Sequence, residues 1–332
     1  MTSLLDLSRR SVLTGAAALS ACGPAKPPVG DAGGATLRVA TFKGGVQNLL
    51  RAAGLDQTPY KVQYAEFVGG NLITEAIDAR AIDLGSMSEI PPVFVAGRPT
   101  LLRLVAVQKG DVNSQVTLIP KSSPIASAAD LKGKRVGFVR ATTAQYFLVR
   151  LLAEQGLTLA DIEPVALSPQ DGLSAFSQGS LDAWVIYGVQ GNLARARLGA
   201  RVLTTGLGRL SGNYLHAALA EALKDPPRRA AIVDHLARAR QAYAWAEANP
   251  EIWAAAQSKA TGVPIEIYRQ QHQERSARTE IAPVNALAIA SQQTVADTFA
   301  QIGAIPARVD VRPLWTDELN SEIANANIPP KL

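Results

Sequence analysis

Internal disulfides are excluded at once, because Cys22 is the single cysteine among 332 residues. Histidine is almost as scarce: His216, His235 and His272 are the three present, far apart in the chain and each in a helix-like context. A metal centre needs ligands clustered at short spacing, so no metal is implied and the three read as packing or surface residues. No Gly-x-Ser-x-Gly elbow occurs, and the lone cysteine belongs to the amino-terminal segment, so nucleophilic catalysis has no candidate. Gly206-x-Gly208-x-x-x-Gly212 misses the dinucleotide spacing by one residue and lacks the acidic partner, which suits a flexible hinge better. Aromatic residues make up 5 % of the chain and the formal charge is only +5, its basic residues scattered. A nucleic-acid surface would want a basic stripe with interleaved aromatics, and there is none. The densest cluster, Arg228, Arg229, Arg238 and Arg240, reads as a solvated helix face. Nothing here asks for a cofactor, and the chain reads as a non-enzyme.

What is present is apolar bulk. Hydrophobic residues reach 47 %, enough for a sizeable core, and the length favours two domains over one. The amino terminus is a separate matter. Ser8-Arg9-Arg10-Ser11-Val12-Leu13 is a twin-arginine pattern, and Leu13 to Ala21 is an apolar run of nine residues, too short to span a bilayer. It ends in Leu19-Ser20-Ala21-Cys22, which resembles the lipobox of bacterial lipoproteins, where the cysteine is lipidated after cleavage. Cys22 is then either that anchor or a signal residue discarded by cleavage. Residues 1–22 are read as the export signal and 23–35, rich in proline and glycine, as a tether. The expected location is periplasmic, at a membrane surface.

Strands alternate with helices along the next stretch. Leu37–Ala40, Val62–Phe67, Ala81–Gly85 and Leu101–Gln108 read as strands, with helices from Val46, from Gly70 and near Pro91-Pro92. That alternation argues for a parallel sheet. Val116–Pro120 looks like a strand leaving it, after which a second array runs through Val136–Val139, Val165–Leu167, Asp182–Tyr187 and Val202–Thr204. From Tyr214 onward the pattern is almost wholly helical, with amphipathic runs at Ala230–Ala248, Glu251–Thr261 and Ala286–Ile302 that pack back on the first lobe. The expected domains are lobe 1 from 36–116 and 214–332, and lobe 2 from 117–213, with a ligand cleft between them.

The turn Val139-Arg140-Ala141-Thr142-Thr143-Ala144-Gln145 is the most suggestive stretch. It joins a short apolar strand to a helix, with Thr142 or Thr143 at the N-cap position. The remaining N–H groups of such an end point outward with the positive end of the helix dipole, which suits an anion.

Several phrases together resemble one family. They are Asp83-Leu84-Gly85-Ser86 with Glu89 and Pro91-Pro92, Asp130-Leu131-Lys132-Gly133-Lys134-Arg135-Val136-Gly137, Ala141-Thr142-Thr143-Ala144, and Gln170-Asp171-Gly172 with Gly179-Ser180-Leu181-Asp182-Ala183-Trp184. The chain is similar to type II periplasmic solute-binding proteins of ABC importers, in particular the aliphatic sulfonate, taurine and nitrate binding family. The resemblance implies an α/β fold of two lobes, a Venus flytrap with two crossover segments. It further implies a monomer that closes on a small organic anion and delivers it to ABC permease subunits in the inner membrane. Carried over residue by residue, the ligand contacts fall on Phe42, Lys43 and Gly44, on Ser86, Met87, Ser88 and Glu89, on Thr142, Thr143 and Ala144, and on Tyr187, Asn213 and Tyr214. Where many members carry an aromatic and an Asp-Pro pair, this chain has Tyr187-Gly188-Val189. Glu89 supplies a carboxylate in the first lobe, either facing the cleft or pairing with a helix N-terminus, and Met87 offers a soft apolar contact. The expected solute is an alkyl or aryl sulfonate or a related organosulfur compound. The alternatives are a nitrate or bicarbonate binder, or a thiamine-precursor binder or enzyme of the same superfamily.

Overall fold

A computed structural model describes residues 34–325. The amino-terminal signal, Cys22 and most of the tether lie outside the described residues. The strands are β1 Thr36–Thr41, β2 Lys61–Glu66, β3 Leu84–Ser88, β4 Leu102–Lys109, β5 Val116–Ile119, β6 Arg135–Phe138, β7 Glu163–Ala166, β8 Ala183–Ile186, β9 Arg201–Thr205, β10 Asn213–Leu219 and β11 Glu280–Ala282. The helices are α1 Val46–Ala52, α2 Gly70–Asp78, α3 Thr143–Ala153, α4 Pro169–Ser177, α5 Gly188–Leu198, α6 Ala220–Lys224, α7 Pro226–Ala248, α8 Pro250–Thr261, α9 Ile265–Glu274, α10 Ala286–Gln301 and α11 Asn320–Asn325. They surround two sheets, ordered β11-β4-β10-β3-β1-β2 and β7-β6-β8-β5-β9.

The same polar clamp fixes strand register in both sheets. In the first, Asp83 is fully buried and accepts from the backbone N and the Nε of Arg38, both at 2.9 Å. In the second, Asp182 accepts from the backbone N of Arg135 at 2.8 Å and from its Nε at 3.1 Å. Each carboxylate thus ties the start of one strand to its parallel neighbour, and charge-assisted bonds of this kind are the strong ones. The clamp also corrects one expectation. Ala81–Asp83 is not strand, because Arg80 at φ 58° ends α2 and Asp83 is spent on Arg38, so β3 begins only at Leu84.

The first sheet is mixed rather than parallel. β1 pairs in parallel with β2 and β3, but β10 inserts between β3 and β4 and runs antiparallel to both. This overturns the expectation that the chain is helical from Tyr214. Tyr214-Leu-His-Ala-Ala-Leu is buried nearly throughout, and a short apolar run of that kind carries no period that separates strand from helix. His216 is therefore a strand residue.

Two glycines explain one of the sequence phrases. A Cβ on Gly172 would stand 2.7 Å from the Trp184 indole nitrogen, and one on Gly137 would stand 3.0 Å from the same ring. Trp184 is fully buried in the second core, and these glycines are the space it occupies. The arginine cluster of α7 is not a solvated face. Arg228 pairs with Asp225 and Asp83, Arg229 with Glu318 and Glu322, and Arg238 with Asp234.

Two segments cross between the sheets, residues 110–115 and 206–212, and they run side by side. Gly110 donates its N–H to the Gly212 carbonyl at 3.0 Å, and Gly206 donates to the Gln115 carbonyl at 2.8 Å. Gly212 has φ 74°, and a Cβ there would stand 2.8 Å from the Gly110 oxygen, so only glycine lets the crossings meet.

Two buried histidines make stability depend on pH. Burial lowers His216 to about 3, with the nearby charge of His235 adding to it, and lowers His235 to about 4. Both are neutral in the fold, while the unfolded chain titrates them near the ordinary value of about 6.5. The unfolded state then binds more protons below that value, so stability is complete above it and falls as pH drops toward the folded values. Each histidine should cost roughly 1.4 kcal/mol per pH unit across that window. Urea unfolding at about pH 7.5 and about pH 5 measures it, and His235→Gln should flatten the slope.

Candidate functional site

Five strands, β1, β2, β6, β7 and β8, each hand over to an α-helix at the gap between the sheets. Val46, Gly70, Thr143, Pro169 and Gly188 are each the first residue of an α-helix, and each lines one cleft of about 380 Å³. The first N–H groups of a helix have no carbonyl within it, and its dipole places about half a positive charge at that end. Five such ends converge on the cleft. Among the described residues, Lys43 and Glu66 are the only charged side chains lining it. The field for an anion is therefore supplied by backbone and Lys43, with Glu66 opposing it.

Apolar side chains form most of the remaining wall, with serines and glutamines among them. Phe42, Phe67, Val68, Met87, Pro91 and Tyr214 come from the first sheet's side, and Tyr187 and Val189 from the second. Gly70 lets α2 begin against β3, since a Cβ there would meet Met87 Cβ at 2.7 Å. Burial pushes the hydroxyls of Tyr187 and Tyr214 up to about 12, so both stay protonated at neutral pH.

The two threonines of the turn have different tasks. Thr142 is the N-cap: its Oγ1 accepts from the Ala144 N–H at 3.2 Å and donates to the Val139 carbonyl at 2.8 Å. Ala141 enters at φ 55°, held by its N–H to Gln145 Oε1 at 2.7 Å. The Thr142 proton is thereby committed to the turn. Thr143 lines the cleft with no hydrogen bond from its hydroxyl to the rest of the described protein, which leaves it free for a ligand.

Of the residues singled out from sequence, Phe42, Lys43, Ser86, Met87, Ser88, Thr142, Thr143, Tyr187 and Tyr214 line this cleft. Four do not. Gly44, at φ 71°, turns its α-carbon toward Gln257 and Thr261 of α8. Ala144 is 1 % exposed and packs in the second core. Glu89 and Asn213 lie behind the cleft, against the second crossing. Neither reading of Glu89 holds. Its Oε1 accepts from Ser211 Oγ at 2.5 Å and Ser291 Oγ at 3.1 Å, and its Oε2 from Asn213 Nδ2 at 3.2 Å. Burial pushes its carboxyl up, and those three donors with Lys109 hold it back. Sequence reasoning missed Gln108, Gln115, Gln190 and Tyr243, which also line the cleft. Only their position at strand ends and in the crossing could have marked them.

A two-lobed α/β architecture, two crossings and an anion-ready cleft at the strand ends define a solute-binding protein of the type II periplasmic class. Comparison with known proteins agrees. The NMT1/THI5-like family model matches residues 60–252, and the chain belongs to that family. A protein of Escherichia coli (strain K12) named for binding aliphatic sulfonates is 35 % identical over 257 residues, 77 % of this chain and 79 % of that one. The alkanesulfonate-binding protein SsuA from Xanthomonas axonopodis pv. citri, solved bound to MOPS, superposes with a TM-score of 0.78 at 27 % identity, covering 86 % of this chain and 99 % of its own. The aliphatic sulphonate binding protein SsuA from Escherichia coli gives a TM-score of 0.73 at 32 % identity, covering 83 % and 90 %. All three relatives are named as binding proteins, and the Escherichia coli structure as a periplasmic one. No helix among the described residues is long and apolar enough to cross a membrane.

The division of labour at the turn is measurable. Thr143→Val should weaken anion binding about tenfold, ~1.4 kcal/mol, with unchanged unfolding. Thr142→Ala should lower stability by about 1 kcal/mol through loss of the cap. Calorimetric titration and urea unfolding on both variants separate the two effects.

Proposed function

We propose that this chain is the extracytoplasmic solute-binding component of an ABC importer and that its solute is a small organic sulfonate. The observation that carries the reading is the convergence of five helix N-termini on a cleft that is otherwise mostly apolar. A sulfonate head takes backbone N–H groups and the Thr143 hydroxyl, and charge-assisted bonds of that kind contribute about 1.5–3 kcal/mol each. The organic tail lies among Phe42, Phe67, Val68, Met87 and Tyr187. Nitrate and bicarbonate have no tail for that wall, which speaks against them. The relatives named for aliphatic sulfonates support the same assignment.

The remaining parts of the proposal rest on sequence. The twin-arginine pattern at Arg9-Arg10 supports export by that route, and Cys22 in its lipobox supports a lipid anchor with residues 23–35 as tether. The chain then acts as a monomer at the membrane surface and hands its solute to permease subunits. No reacting group is assigned, and turnover of a bound solute would refute the binding-only role.

A thermal-shift screen of the chain from Gly23 onward, against alkyl and aryl sulfonates, sulfate esters, nitrate and thiamine precursors, tests the solute class. A true ligand at about 100 times its dissociation constant stabilises by ~2.7 kcal/mol, a clear rise in melting temperature. The expected result is a rise with sulfonates and none with nitrate; a rise with nitrate alone would sink the proposal.

A further inference from the structure

Besides the two cores that belong to the two sheets, a smaller apolar cluster joins α5 to α8 and α9. Leu193 of α5 is 8 % exposed, and its buried neighbours in that cluster are Ala254, Val263 and Tyr268. All three come from α8, α9 and the turn between them. α5 follows β8 of the second sheet, whereas α8 is held to α1 of the first, where Asn48 Nδ2 donates to Gln257 Oε1 at 3.3 Å. The cluster therefore spans the two halves at a place apart from both crossings. Polar contacts flank it. Gln271 Nε2 donates to Asn192 Oδ1 at 2.9 Å, and Arg195 Nη2 donates to Gln270 Oε1 at 3.1 Å.

The α8–α9 hairpin also stands behind both walls of the cleft. On one side α5 opens with Gly188, Val189 and Gln190, which line it. On the other, a Cβ on Gly44 would stand 2.6 Å from Gln257 Oε1 and 2.7 Å from Thr261 Cγ2, and the adjoining Lys43 and Gly45 line the cleft. Tyr268 is braced within the hairpin, its hydroxyl 2.8 Å from Thr261 Oγ1 and its ring edge-on to Trp253. Moving α5 away from the hairpin would expose Leu193, Val263 and Tyr268 to water, which is unfavourable for apolar surface.

We propose that the α8–α9 hairpin is a strap that holds the cleft narrow through Leu193 and so sets solute affinity from outside the cleft. Leu193, Val263 and Tyr268 are positioning residues, since none of them lines the cleft. They act on the population of the narrow form, and a solute that binds that form has its apparent affinity scaled by the fraction present. The inference goes beyond the sulfonate reading and does not depend on which solute is bound.

Small-angle X-ray scattering of the chain from Gly23 onward, without solute, compares the native protein with Leu193→Asp. The carboxylate is costly inside the apolar contact but meets water once α5 has moved away, so the two main cores are left intact. The variant should show a larger radius of gyration than the native chain and contract to the native value with a saturating sulfonate. Its apparent Kd should rise at least about tenfold, the mark of a narrow fraction cut to about a tenth. Leu193→Ala, which only shortens the contact, should shift both readouts the same way to a smaller extent, and it carries the test if Leu193→Asp fails to fold. Equal radii in the solute-free native and variant chains would overturn the strap. If the radii differ as expected but no sulfonate binds or contracts any of the chains, the sulfonate reading falls and the strap stands.

Discussion

The antiparallel insertion of β10 between β3 and β4 is the constraint on which the rest depends. Without it β3 and β4 share no partner, because neither pairs with the other. The seven residues of β10 bring the chain back from the second sheet and close the first one. In the same stroke they set Tyr214 into the cleft and Asn213 beside Glu89 behind it. Fold, hinge and cleft wall thus share one strand. Its near-total burial is the physical cost, and alanines at 217 and 218 keep that strand slim enough to lie mid-sheet.

The cleft is built for a negative charge while holding little formal positive charge. Five helix ends, each worth about half a charge, replace an arginine, and their N–H groups need no side-chain ordering when a ligand arrives. A long flexible cation would lose rotamer freedom on binding; a helix terminus has already lost it in folding. Of the two carboxylates near the strand ends, Glu66 lines the cleft and Glu89 is turned away from it. Glu89 is satisfied by Ser211, Asn213 and Ser291, joining β3, the second crossing and α10 in one buried network. Such a network rigidifies the joint between crossing and first sheet, since leaving any one member unpaired in a buried setting is expensive.

The parts of this arrangement that were legible in the sequence share a cause. The βα turns announce themselves through hydroxyl caps and glycines, so the turn at Thr142 and the start of α2 could be read directly. The family phrases were legible because geometry forces them: Gly137 and Gly172 are the room that Trp184 needs, and Asp182 is the clamp for Arg135. β10 was not legible, since six largely apolar residues carry no decisive period. Glu89 was misplaced for a different reason. A strand end fixes where a residue emerges, but which side its head takes is decided by donors more than a hundred positions away, at Ser211, Asn213 and Ser291. Gln108 and Gln115 were invisible for the same reason, because a glutamine carries no signal until its neighbours are known.

The threonine pair shows how finely stability and recognition are separated here. Adjacent hydroxyls at one helix end could both have faced the ligand, and a cap that also bound it would couple loss of solute to loss of helix. Instead the Thr142 proton is committed to the Val139 carbonyl, while the Thr143 hydroxyl has no hydrogen-bond partner among the described residues. At the crossing Tyr214 gives its proton to the Asp111 carbonyl and accepts from Gln115. In each case a neighbour is locked by bonds internal to the protein. The Thr143 hydroxyl can rotate to donate or accept, whereas the Gln115 amide keeps the orientation that Tyr214 imposes.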